Sequence, residues 1–133
     1  RYRTGDLTRI IPEPCPCGHT LPVIEVRGRR DEPLSVAGSS GRRVTLLPMA
    51  LTSVLEDEAG IFDFQLSQRD ARTLELRLAC EGDEGRAAAA RGREALLDFA
   101  ARQGARGLRI VESLGQSLPR GRSGKARRII AGA

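Results

Sequence analysis

The chain has 133 residues, 40% of them hydrophobic but only 3% aromatic, and carries a formal net charge of +5. That length suits one domain, or one domain with an extension, whose interior is filled by Ala, Leu, Val and Ile. No apolar run approaches the roughly 20 residues of a membrane-spanning helix, so no membrane partner is expected.

The basic balance suits a nucleic-acid or polyphosphate partner. Seventeen acids are interspersed with the arginines, however, and there is almost no aromatic surface for bases to stack on, which disfavours nucleic acid. Three cysteines are an odd number and make no disulfide framework, so a reducing cytoplasm is expected. The opening Arg1-Tyr2-Arg3, without a methionine, reads either as the continuation of a longer chain or as the start left after a tag or leader is removed.

Thr4-Gly5-Asp6 favours a bend, and Leu7, Ile10 and Ile11 then supply a strand. Asp6 reads either as the anchor of an Asx-type turn or as a carboxylate accepting hydrogen bonds from a ligand's hydroxyls. The prolines from Pro12 to Pro16 exclude regular structure. In an extended Cys15-Pro16-Cys17-Gly18-His19 the two thiols and the imidazole would point to one side, one reading being a zinc set whose fourth ligand is Cys80 or comes from a segment outside this sequence. Buried cysteines without a ligand are the other reading.

Leu21–Arg27 reads as a strand. Gly28-Arg29-Arg30-Asp31-Glu32-Pro33 is charged and divides two apolar regions, as a linker and hinge would. Leu34–Ala37 and Arg43–Leu46 read as short strands about a Gly38–Gly41 hairpin turn. A helix is expected from Pro48, with Leu51, Val54 and Leu55 at helical spacing and Gly60 as its stop. Ile61–Leu66 and Thr73–Leu78 alternate as a hairpin joined by Arg69–Arg72, with Phe62, Phe64 and Leu66 on one face of the first strand. Glu84–Gln103 is the longest predicted helix, with Leu96, Phe99 and Ala100 inward, and Leu108–Val111 is the last core strand. The order predicts an α+β fold, a small antiparallel sheet with helices on one face, preceded by a short strand and hinge extension.

Near the end lies Ser123-Gly124-Lys125, and Lys125 is the one lysine beside twenty-one arginines. Lysine brings a compact, mobile charge where arginine brings a broad fork, and the adjacent glycine permits close approach to a ligand. Ile129-Ile130 would anchor the far end of such a loop. A solvated basic tail is the plainer reading.

Tyr2-Arg3-Thr4-Gly5-Asp6-Leu7, Gly28-Arg29-Arg30-Asp31 and Ser123-Gly124-Lys125, in this order, resemble the C-terminal part of the adenylate-forming enzymes. The intervening Cys-Pro-Cys-Gly is most similar to the phenylacetate–CoA ligase and deazaflavin-cofactor synthetase branch of that superfamily. The resemblance implies residues 1–30 as the tail of the large AMP-binding domain and 31–133 as the mobile small domain. It implies Asp6 and Arg29 on the ribose of ATP and acyl-AMP, Asp31 as the hinge, and Lys125 bridging the substrate carboxylate and the α-phosphate. It further implies a carboxylic, aryl-type acid as substrate, magnesium on phosphates held by the large domain, and CoA as acceptor. The segment facing the site in the second half-reaction would be Leu34–Gly41, where only Gly38 matches the pattern. The rival expectation is a basic α+β module binding RNA or a partner protein, stapled by zinc at Cys15, Cys17 and His19.

Overall fold

The computed structural model describes residues 6–29, 33–118 and 127–132, with backbone alone considered at 6, 7 and 26–29. The chain divides into two compact units, Arg1–Glu32 and Pro33–Ala133. In the first, β1 (Asp6–Ile11) and β2 (Val23–Arg29) pair as an antiparallel hairpin. The register shifts between Leu7 and Thr8, which face Gly28 and Val26, so Arg27 is the extra residue of a bulge.

The second unit is α+β. Its strands β3 (Leu34–Ala37) and β4 (Arg43–Leu46) form a hairpin closed by a 3₁₀ turn at Ser39–Gly41. Helix α1 (Pro48–Ser53) opens on proline, whose fixed φ and missing N–H suit a first turn. The chain then widens into a π-helical turn at Val54–Glu58 and is released at Gly60, which has φ +67°. Strands β5 (Phe64–Asp70) and β6 (Thr73–Leu78) come next, then the long α2 (Gly82–Arg102), β7 (Arg109–Ser113) and the short β8 (Ile129–Ile130).

The main sheet has the order β7-β6-β5-β8 and is mixed rather than purely antiparallel. Only β5 and β6 run antiparallel, as a hairpin with the tight Ala71-Arg72 turn; the expected Arg69–Arg72 connection is shorter because β5 continues to Asp70. The Asp70 carboxylate accepts the Arg72 N–H at 2.7 Å and so shapes that turn. Helix α2 carries the chain back across the sheet, so β7 enters parallel to β6. β8 adds parallel to β5 on the other edge, with Leu66 opposite Ile129. Ile61 and Phe62 precede β5, and Phe62 is 64% exposed instead of sharing the face of Phe64 and Leu66.

One face of the sheet is apolar: Phe64, Leu66, Leu74, Leu76 and Leu78 are fully buried. Against it lies a small-residue stripe of α2, namely Gly85, Ala88, Ala89, Gly92, Leu96 and Ala100, repeating at three- and four-residue spacing. A Cβ on Gly92 would stand 2.9 Å from Leu76 Cδ2 and 2.8 Å from Ile61 Cδ1. The missing side chain therefore lets α2 sit against β6. The β3–β4 hairpin contributes Leu34, Val36 and Leu46 to the same core. It is tied to the sheet by Gln68, whose Oε1 accepts the Ser35 N–H (3.1 Å) and whose Nε2 donates to Ser35 O (2.7 Å). Its far end is held where the Arg106 N–H donates to Ala37 O at 2.9 Å.

Candidate functional site

The hairpin of the first unit carries two of the residues singled out for ribose. Asp6 and Arg29, far apart in the chain, are cross-strand partners in the ladder at the open end of the hairpin. The divide between the two units falls after Glu32, one residue beyond the candidate hinge Asp31, which itself lies outside the described residues.

At the other end of the hairpin the cysteine segment is folded rather than extended. Gly18 has φ +77°, and its N–H donates to Cys15 O at 3.0 Å, turning the chain at Pro16-Cys17. The turn brings Cys15 Sγ and Cys17 Sγ to 2.7 Å. The Cys15 thiol, and after it the His19 backbone N–H, hold the Cys17 thiol below its ordinary pKa. The expected convergence of Cys15, Cys17 and His19 holds for the sulfurs only. Among the described residues no three His, Cys, Asp or Glu side chains form a group fit to hold a metal ion. The physical reason is the turn, which replaces the alternation of an extended strand on which the triad depended. Cys80 is exposed and belongs to the second unit.

Lys125 lies outside the described residues, of which Arg127 is the next. From Arg127 onward the backbone is tied firmly to the sheet. Gln65 Nε2 donates to Arg127 O at 3.0 Å, and the Leu66 N–H to Arg128 O at 2.7 Å. The Arg128 guanidinium forms an ion pair with Glu56, donates to Phe62 O at 2.9 Å and lies 5.3 Å from the centre of the Phe64 ring. Glu56 and Gln65 were not legible as partners of this segment, since they stand 72 and 62 residues away from the groups they hold. The expected anchoring role of Ile129-Ile130 is met by β8.

Gly38 sits in a crowded corner. A Cβ there would meet Val44 Cγ2 at 2.8 Å, Arg42 O at 3.2 Å and Gly104 O at 3.3 Å, so the β3–β4 turn itself demands glycine. Its backbone also bridges to Ala105.

The face of the sheet opposite α2 carries a buried charge. Glu75 is 5% exposed; its Oε1 accepts Ser113 Oγ–H (2.8 Å), and its Oε2 lies 2.5 Å from Arg69 Nη2 and 3.2 Å from both Arg77 Nε and Ser67 Oγ. Burial pushes this carboxyl up, but Ser113, Arg77 and Arg69 together hold it below the ordinary glutamate value. Arg86, Arg93 and Arg102 are likewise paired with acids, so much of the basic charge is spent within the fold.

Compared with models of known protein families and with curated proteins, the chain finds no match in either.

Proposed function

We propose that this chain is the hinge and small C-terminal domain of an adenylate-forming ligase, which activates a carboxylic acid as its acyl-AMP. The observation that carries the reading is the register of β1 with β2, in which the two ribose candidates Asp6 and Arg29 are direct partners. A carboxylate and a guanidinium carried at paired backbone positions are the residue types that suit neighbouring hydroxyls: the first accepts their protons and the second donates to their oxygens. Asp6 and Arg29 would hold the ribose of ATP.

In this reading Lys125 supplies the charge for the first step. Attack of a carboxylate on the α-phosphate brings two anions together, and a positioned ammonium offsets their repulsion most as charge redistributes in the transition state. The clamp on Arg127 and Arg128 supports the assignment, because it fixes the chain from the second residue after the lysine onward to the sheet. Magnesium would be held mainly by the large domain of such an enzyme. Transfer to CoA is the second step expected of the branch, with the β3–β4 turn at Gly38 on the acceptor side. The aryl character of the acid rests on the likeness to the phenylacetate–CoA ligase branch.

The test is Lys125→Ala in the enzyme carrying its large domain. Acid-dependent pyrophosphate exchange should fall by about 10²–10³ or more, as for loss of one charge-stabilising donor. Product formation from pre-made acyl-adenylate should persist. Equal loss of both half-reactions would overturn the role of Lys125.

A further inference from the structure

The sulfur pair at the tip of the first hairpin stands apart from the proposed adenylate chemistry. Five residue steps along β1 separate the Asp6↔Arg29 end from Ile11, after which the chain runs on to the cysteine turn. At a rise of about 3.3 Å per residue the two ends are roughly 17 Å apart. The turn is preorganised by three features: the fixed φ of Pro16, the positive φ of Gly18, and the Gly18 N–H to Cys15 O hydrogen bond. None of these requires a ligand. Cys17 is exposed and Cys15 half-buried beside it.

The turn holds the two thiols against each other with Cys17 open to solvent, and among the described residues no third His, Cys, Asp or Glu joins them to form a group fit to hold a metal ion.

We infer that Cys15 and Cys17 are a redox dithiol that closes to a disulfide within the turn by exchange with a small-molecule disulfide of the glutathione type. The exposed Cys17 thiolate attacks one sulfur of the oxidant, forming a mixed disulfide and releasing one glutathione thiolate, which takes up a proton. Cys15 then gives up its proton and attacks Cys17 Sγ, forming the Cys15–Cys17 bond and expelling the second glutathione. Two protein thiols are oxidised, and one glutathione disulfide is reduced to two thiols. Exposed disulfides of this kind are the labile ones, opened again by excess thiol. The dithiol chemistry does not depend on the ligase reading.

The experiment uses the full chain bearing Cys80→Ser, equilibrated without oxygen in glutathione buffers of stepped oxidised-to-reduced ratio, then trapped by alkylation and weighed intact. The expected product has lost two alkylatable thiols together and retains no glutathione, and it reverts in reduced buffer. Adding Cys15→Ser should leave one glutathione on Cys17, because the resolving thiol is gone. Three results would overturn the inference. These are glutathione persisting on Cys17 while Cys15 is present, both thiols still reduced at the most oxidising ratio, or stoichiometric zinc retained on purification and shielding both from alkylation.

Discussion

Glu75 occupies the middle of β6, where its neighbours Leu74 and Leu76 face the core and it faces the opposite way. A carboxylate so nearly excluded from water is tolerated only when its oxygens are filled, and two serines and two arginines fill them. Removing it strands two guanidiniums, one of them half-buried. Glu75→Ala should therefore lower unfolding free energy by about 2–3 kcal/mol in urea titrations, less than a fully buried pair because Arg69 is half exposed. The pH dependence comes from the direction of its shift. A carboxyl held below its ordinary value in the folded state binds its proton more readily when unfolded, so it stabilises the fold above the unfolded pKa. That contribution should disappear as pH falls below about 4 and through the lower folded value. Comparing the native chain with Glu75→Gln across that window measures it: the stability difference should shrink on acidification.

β8 is too short to hold its place by ladder bonds alone. Two residues give little cooperative pairing, and the strand is secured by the side chain that precedes it, Arg128, reaching Glu56, Phe62 O and the Phe64 ring. The π-helical turn matters here, since it presents Glu56 to Arg128 while Val54 and Leu55 remain buried. Glu56→Gln should cost about 1 kcal/mol, as expected for a partly exposed pair. Its signature is local: amide exchange at Leu66, whose N–H donates to Arg128 O, should quicken while that of β6 paired with β7 stays unchanged. Uniform acceleration across the sheet would show that the pair supports the core instead of the edge.

At the scale of the molecule, the two units differ in what they bury. Pro33–Ala133 encloses one continuous cluster built from the β3–β4 hairpin, α1, the sheet and α2. The first unit is a two-stranded hairpin on which Ile10 and Ile24, directly opposed, are 70% and 58% exposed. Such a hairpin is marginal in water without further cover. Residues 33–133 alone should unfold in a single cooperative transition with nearly the midpoint of the whole chain, whereas 1–32 alone should show no transition. A large fall in midpoint for 33–133 would mean that the hairpin contributes to the core. No helix among the described residues is long and apolar enough to cross a membrane.

The α+β class, the β3 and β4 boundaries, the buried alternation of Leu74, Leu76 and Leu78, and a helix begun at Pro48 were written in local signals: period, proline position and β-branched runs. The same signals could not report strand direction, because whether β7 joins parallel depends on where a long helix returns the chain. Nor could they show that α2 is held by its glycines and alanines, since small residues become a packing stripe only when Leu76 and Leu55 stand opposite. The candidate site divides the same way. Motif order marked Asp6, Arg29, Asp31 and Lys125, but pairing across a hairpin set Asp6 opposite Arg29, and a turn kept His19 out of the sulfur pair. Glu56 meets Arg128 only in three dimensions, because sequence patterns carry local backbone preference while partners 72 residues apart are chosen by the closing of the core.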